Sequence, residues 1–269
     1  MNHLAFSHIA WPPTEEPQML EHLKGHQVKH LELAPVRAFG NPLDADESSV
    51  RRRAEFYHQH GFHICAFQAL LFGSEDLYLF RDAASREKMK QWLIAVGKVA
   101  GWCGASAMVF GSPKNRLKGA LSKQQANEIA CEFFREIGDK IASFGTKIVM
   151  EANPAEYGAD YCTSLSEAAE LVAMVDSPGF LLHVDAGGLA VTGEDFTPVI
   201  QRYSHLIGHF HASQINLGDW ADPHPVHQEI SQSLRSVNYD KIISIEMRSI
   251  EPYISTISTA IAQVKNIYF

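Results

Sequence analysis

Alternation of short apolar runs with amphipathic stretches predicts an α/β fold, a closed (β/α)8 barrel, and three observations carry that reading. Eight strand candidates can be found, each followed by a helical or helix-sized segment. Their spacing is about 30 residues, the length of one strand–helix unit. The chain has 269 residues, and a closed barrel takes about 250 as one domain. Neither a linker nor a composition break divides the sequence, so a single domain over residues 1–269 is expected. An open doubly wound sheet is the competing architecture, but no GxGxxG turn follows the first strand.

The elements follow in order. Leu4–Ala10 reads as the first strand, ended by Trp11-Pro12-Pro13, because consecutive prolines deny a strand its backbone donors. A helix near Glu16–Lys24 closes at Gly25, and Val28–Leu33 is the second strand, with His30, Glu32 and Ala34 on one face by the period of two. Pro35–Glu47 is a long loop at the end of a strand where barrels carry function. A helix over Ser48–Gln59 carries Arg51-Arg52-Arg53, read as a solvated face because Glu47 and Glu55 flank it. Phe62–Ala69 is the third strand, followed by a loop (Leu71–Asp82) whose Phe72, Tyr78 and Phe80 suggest a lid or subunit contact.

Arg86–Trp102 has helical spacing with Met89, Leu93, Val96 and Ala100 on one stripe. Ala105–Gly111 is the fourth strand and opens into Ser112-Pro-Lys-Asn-Arg116. Ser122–Ser143 is a long helix ended by Gly145, and Ser164-Leu-Ser-Glu167 is a capping box that starts a helix to Val175. Thr197–Tyr203, Gln228–Val237 and Pro252–Val264 supply the remaining helices.

Composition narrows the function. A hydrophobic share of 46% and a charged share of 20% are ordinary for a globular protein, and no apolar run approaches the ~20 residues of a membrane span. Met1-Asn2-His3-Leu4-Ala5-Phe6 lacks a basic segment before an apolar core, so a cytoplasmic location and no membrane partner are expected. Cys65, Cys103, Cys131 and Cys162 form no CxxC pair, which disfavours a thiolate zinc site or a disulfide framework. A formal net charge of −8 opposes long-range attraction to nucleic acid.

The last four strands carry the chemistry. Lys147–Glu151, Leu181–Asp185, Ile207–His211 and Ile242–Glu246 each end in a residue able to hold a divalent metal, at intervals of 34, 26 and 35 residues. Each is followed by turn or polar residues, so the four tips lie at C-terminal strand ends, which a parallel barrel gathers on one rim. Three carboxylates and one imidazole suit one hard divalent ion, Mn²⁺ first, with Mg²⁺, Co²⁺ or Zn²⁺ as alternatives. For any single residue, a bond to loop amides is as good an explanation. For four successive strands it weakens.

Met150-Glu-Ala-Asn153, His183-Val-Asp185, His209-Phe-His211 and Ser244-Ile-Glu-Met-Arg248 resemble the xylose-isomerase-like TIM barrels, which include ketose 3-epimerases, hydroxypyruvate isomerases and apurinic endonucleases. The resemblance covers nearly the whole chain. It implies that Glu151, Asp185, His211 and Glu246 bind one Mn²⁺-type ion, and that Glu151 and Glu246 also move protons. Independently, proton abstraction beside a ketone needs the developing enediolate stabilised, which a Lewis acid does. Return of the proton to the same carbon epimerises; return to its neighbour isomerises an aldose–ketose pair.

Two departures restrict the resemblance. Gly188 stands where many relatives have a histidine three positions after the strand-six aspartate, which disfavours the multi-zinc nuclease chemistry. Leu217 stands where the epimerases carry an arginine. Substrate contacts are expected from Glu32, Gln68, His183 and Arg248, with filling of a polar barrel layer as the other role for His183. His209 shares these two readings. Lys114 and Arg116 are read as a flexible cationic pair for a phosphate or carboxylate, against two solvated loop charges; Gly111-Ser-Pro-Lys-Asn-Arg116 resembles a stretch of sugar-phosphate isomerase homologues. Trp11, Trp220 and His224 are candidates to cover the site.

The expected function is a metal-dependent sugar or sugar-phosphate isomerase or epimerase, with a small-molecule partner and a homodimer or homotetramer as the assembly. A metal-assisted dehydratase, an apurinic-endonuclease-like phosphodiesterase and a non-enzymatic sugar-binding protein are the alternatives.

Overall fold

The computed structural model describes residues 3–269, so the expectations for Met1 and Asn2 fall outside it. Eight parallel strands form a closed barrel in sequence order: β1 (His3–Ser7), β2 (His30–Leu33), β3 (His63–Phe67), β4 (Ala107–Phe110), β5 (Ile148–Met150), β6 (Phe180–Asp185), β7 (Ile207–Ser213) and β8 (Ile242–Glu246). Closure is made by β1 against β8, with His3 opposite Ile242 and Phe6 opposite Ile245. The chain therefore adopts the (β/α)8 barrel that its periodicity predicts.

Around the barrel run α1 (Glu16–Gly25), α2 (Pro35–Phe39), α3 (Glu47–Gln59), α4 (Ala83–Cys103), α5 (Lys123–Ala142), α6 (Leu165–Val175), α7 (Ala186–Thr192), α8 (Thr197–Tyr203), α9 (Val226–Ser236) and α10 (Tyr253–Tyr268). Side chains set several starts. Asp46, Asp82 and Ser164 accept the third free amide of α3, α4 and α6, so these helices begin where the donors are satisfied. Ser122 and Gln125 form the reciprocal capping box of α5. At Ser164 only half of the expected box forms, because Glu167 turns back to the amide and hydroxyl of Thr163.

Several local expectations are revised. Strand β1 stops at Ser7 and His8–Ala10 makes a 3₁₀ turn, in which His8 Nε2 accepts the Ala34 amide at 2.7 Å. The Pro35–Glu47 loop contains α2, and Gly187-Gly188 is the start of α7 rather than a turn. Of the aromatic loop after β3, Leu77, Leu79 and Phe80 are buried, which leaves Phe72 as the exposed large residue. Trp11 and Trp220 are also buried, while His224 is exposed. The arginine run divides: Arg51 pairs with Glu47 at 2.7 Å on the surface, whereas Arg53 turns in to Glu16 at 2.7 Å.

The apolar core lies in two bodies. A large one fills the space between barrel and helices, and a small one plugs the barrel interior with Ala5, Cys65, Ala107, Val109 and Val149. Polar side chains occupy the interior above that plug, toward the C-terminal strand ends. Among the described residues no helix is long and apolar enough to cross a membrane.

Candidate active site

Strand periodicity builds the site from the plug upward. His183 pairs with His209, Asp185 with His211, His211 with Ser244, and Ser213 with Glu246, so alternate residues of β6, β7 and β8 share the inner face. The lower polar layer comprises Glu32, His183, His209 and Ser244, all buried. Glu32 accepts from His211 Nε2, which lies 2.9 and 3.0 Å from its two oxygens, and from the Ser244 hydroxyl; His209 Nε2 is 3.4 Å away. Burial alone would raise the Glu32 carboxyl, but His211 and His209 hold it well below the usual range.

On the other side of His211, Nδ1 stands 3.1 Å from Glu246 Oε2 without completing a hydrogen bond. Burial disfavours a charged imidazole here, yet Glu32 and Glu246 on either side raise its proton affinity well above the ordinary value. A proton on His211 thus supplies the positive charge that two flanking carboxylates demand. A divalent ion at Nδ1 would meet the same demand, with Nε2–H held by Glu32 in the carboxylate–histidine–metal arrangement.

Above this layer three carboxylates face one cavity of about 260 Å³: Glu151, Asp185 and Glu246. Burial, then Asp185 and Glu246, push the Glu151 carboxyl upward. Asp185 is also raised, by burial foremost and by Glu246, although Ser213 and the Gly188 amide both bond to it. Glu151 Oε1 accepts from Asn153 Nδ2 at 2.8 Å, and a Cβ at Gly111 would stand 2.6 Å from its Oε2. Gly111 therefore leaves the room that the Glu151 carboxylate occupies.

The donor set fits a divalent cation. His211 Nδ1 and both ring nitrogens of His183 are buried without a hydrogen-bond partner. Donor atoms of His183, Asp185 and His211 lie within 4.8 Å of one another, as do those of Glu32, His209 and His211. Glu246 adjoins the first group through His211, and Glu151 faces Asp185 and Glu246 across the cavity.

The cavity mouth is shaped by strained loop residues. Ala69, Ser112, Asn216 and Leu217 all line it and all have φ between 44° and 54°, a region costly for non-glycine side chains. The Arg248 amide bonds the Leu217 carbonyl at 2.9 Å and so braces the last of these loops from β8. Gln68 lines the cavity as expected, with Nε2 donating to Ser7 at 3.3 Å.

Several expected contacts are displaced. Arg116 is fully buried and its fork is spent on the carbonyls of Gly111, Tyr161, Cys162 and Glu151 and on Asn153 Oδ1, so it is no flexible rim cation. Lys114 is exposed on the turn Pro113–Arg116 and does not line the cavity. The Arg248 side chain is exposed and likewise absent from the lining. His183 and Glu32 do not line this cavity; both are buried, Glu32 bonded to His211 and His183 without a hydrogen-bond partner.

Residues that sequence reading missed are Ser213, Ser244, Asn153, Tyr157, Gln214 and Asn216. For Ser213 the signal was present, since His209, His211 and Ser213 share one face by the period of two. For Tyr157, Gln214 and Asn216 no local pattern points inward, because loop direction is set by tertiary contacts.

Comparison with known proteins accords with this arrangement. Residues 20–265 match the family model described as xylose isomerase-like TIM barrel. The chain belongs to that family. Among solved structures, this xylose isomerase-like barrel is similar to an L-ribulose 3-epimerase (TM-score 0.80, 14% identity, covering 100% of this chain and 95% of the other). It is also similar to a D-psicose 3-epimerase determined in the presence of D-fructose (0.79, 14%, 99% of each chain). A family 2 AP endonuclease from Brucella melitensis is a further neighbour (0.73, 18%, 96% of this chain and 97% of the other). At these identities the likeness is one of fold. A search of curated proteins gives no match.

Proposed function

We propose that this barrel is a metal-dependent epimerase or isomerase of an uncharged sugar. The observation that carries the reading is the convergence of Glu151, Asp185 and Glu246 on one cavity. A carboxylate beside a bound ligand is placed to take a proton from the carbon next to a carbonyl and to return one. Glu246 is the second carboxylate that faces the cavity. Glu151 directly follows β5 and Glu246 ends β8, strands that are not neighbours in the barrel, so the two approach a ligand from different directions. Return by the other glutamate to the same carbon inverts it; return to the adjacent carbon exchanges aldose and ketose.

Glu151, Asp185, His211 and Glu246 would hold the cation, and Glu32 and Ser213 would orient two of them. Three oxygen donors and one imidazole favour Mn²⁺ among the candidates. When bound, the ion supplies the positive charge that stabilises negative charge developing on substrate oxygens. Asn153, itself held by Arg116, keeps Glu151 directed into the cavity.

The lining supports an uncharged substrate. Among the described residues no lysine, arginine or histidine lines the cavity, whereas three carboxylates do. A phosphate or carboxylate would lose its hydration there without a cationic side chain in exchange. The likeness to a D-psicose 3-epimerase and an L-ribulose 3-epimerase supports a sugar substrate.

The test is a panel of ketoses and their phosphates incubated in D₂O with Mn²⁺ and read for deuterium at carbon. Exchange into free ketoses is expected. Exchange confined to phosphates overturns the uncharged-substrate clause, and no exchange with any sugar overturns the enzymatic reading.

A further inference from the structure

On the outer wall, away from the cavity, two histidines address one point. Helix α1 ends in His22-Leu-Lys-Gly25 with His26 as its C-terminal cap, and the i, i+4 spacing places the two rings one turn apart. Both rings meet α10. Ser258 Oγ lies 2.9 Å from His22 Nε2 and 3.3 Å from His26 Nε2. The rings sit edge to face with centroids 4.8 Å apart.

From this geometry we infer a second cation site, formed by His22, His26 and the Ser258 hydroxyl, that takes a borderline divalent ion of the zinc, nickel or copper(II) class. Two imidazoles without a carboxylate select those ions over Mn²⁺ and Mg²⁺, the reverse of the oxygen-rich cavity. A histidine pair at i, i+4 on a helix is a chelating unit in zinc proteins. Both rings are half-buried, and ligation would bring one nitrogen of each to the ~2.0–2.1 Å of a metal–imidazole bond.

Two surrounding features favour a cation. Burial, then the neighbouring His26, lowers the His22 pKa, so the ring is held in its neutral, ligating form. The site also lies at the C-terminal end of α1, where free carbonyls carry partial negative charge. Lys265 already answers part of that charge, since its Nζ donates to the His26 carbonyl at 2.8 Å. It bonds the backbone and leaves both imidazoles to the ion.

Occupancy would have a structural consequence. His22 and Ser258 are 236 positions apart in sequence, on the first and last helices of the barrel wall. An ion shared between them ties the two ends of the chain together and stabilises the folded state by binding it preferentially.

Nickel titration of the full chain in excess Mg²⁺ tests the site. The His22 and His26 imidazole proton resonances should broaden together in the unmodified protein. Equilibrium dialysis should show one nickel equivalent lost in H22Q/H26Q and retained in the cavity variant D185N. Nickel should raise the thermal midpoint of the unmodified chain more than that of H22Q/H26Q. Unbroadened His22 and His26 resonances, or nickel stoichiometry unchanged in H22Q/H26Q, overturns the inference; the resonance measurement decides it even where the double variant fails to fold.

Discussion

Replacement of Arg116 by lysine separates a buried brace from a substrate contact. The guanidinium bonds Gly111 O at 2.7 Å, Glu151 O at 3.0 Å and Asn153 Oδ1 at 2.8 Å, and also reaches the Tyr161 and Cys162 carbonyls. A lysine keeps the charge but has three donors on one nitrogen, so it cannot reproduce a fork that spans five acceptors. At least two buried acceptors lose their partner, at about 1–3 kcal/mol each. The expected loss is therefore about 2–6 kcal/mol, which for a chain of this size lowers the thermal midpoint by roughly 4–11 °C. Urea or thermal unfolding of the two proteins measures it. Because Asn153 links Arg116 to Glu151, turnover should fall for every substrate alike. An unchanged midpoint, with weakened binding of phosphorylated sugars alone, would refute the brace and restore a substrate role.

Other predictions concern the carboxylates. Glu246→Gln should retain the fold and much of the metal affinity but abolish exchange of carbon-bound hydrogen with solvent; wild-type-like exchange would remove the two-glutamate mechanism. Glu32→Gln leaves an acceptor for His211 Nε2 but removes a charge, so Mn²⁺ affinity should fall about 10–100-fold by titration calorimetry, and unaltered affinity would show that Glu32 does not tune the ligand. Glu16 is buried, which opposes ionisation, but His8, Tyr57 and then Arg53 bring its pKa from 4.5 down to about 2. A depressed carboxylate stabilises the fold above its unfolded pKa and ceases to do so as pH falls toward the folded one. The stability difference between the parent and Glu16→Gln should therefore be full above pH ~4.5, on the order of 3 kcal/mol, and should vanish toward pH ~2; a difference independent of pH between those limits would contradict it.

Local pattern alone determined much of this protein. Strand β8 and helices α6 and α8 begin and end where periodicity and turn residues place them, and the four strand-tip candidates are legible because the period of two fixes which face a side chain takes. Barrel closure then follows from eight repeats of similar length. Tertiary structure decided what each side chain does. Arg116 and Lys114 stand two residues apart in one turn, yet one is enclosed by the carbonyls after β4 and β5 and the other points to solvent. No sequence period encodes that difference, since it depends on which backbone acceptors the neighbouring loop presents. Glu32 illustrates the same limit: its inward face was readable, but its partner His211 lies 179 positions away, and only closure of the barrel brings β2 and β7 across the interior from one another.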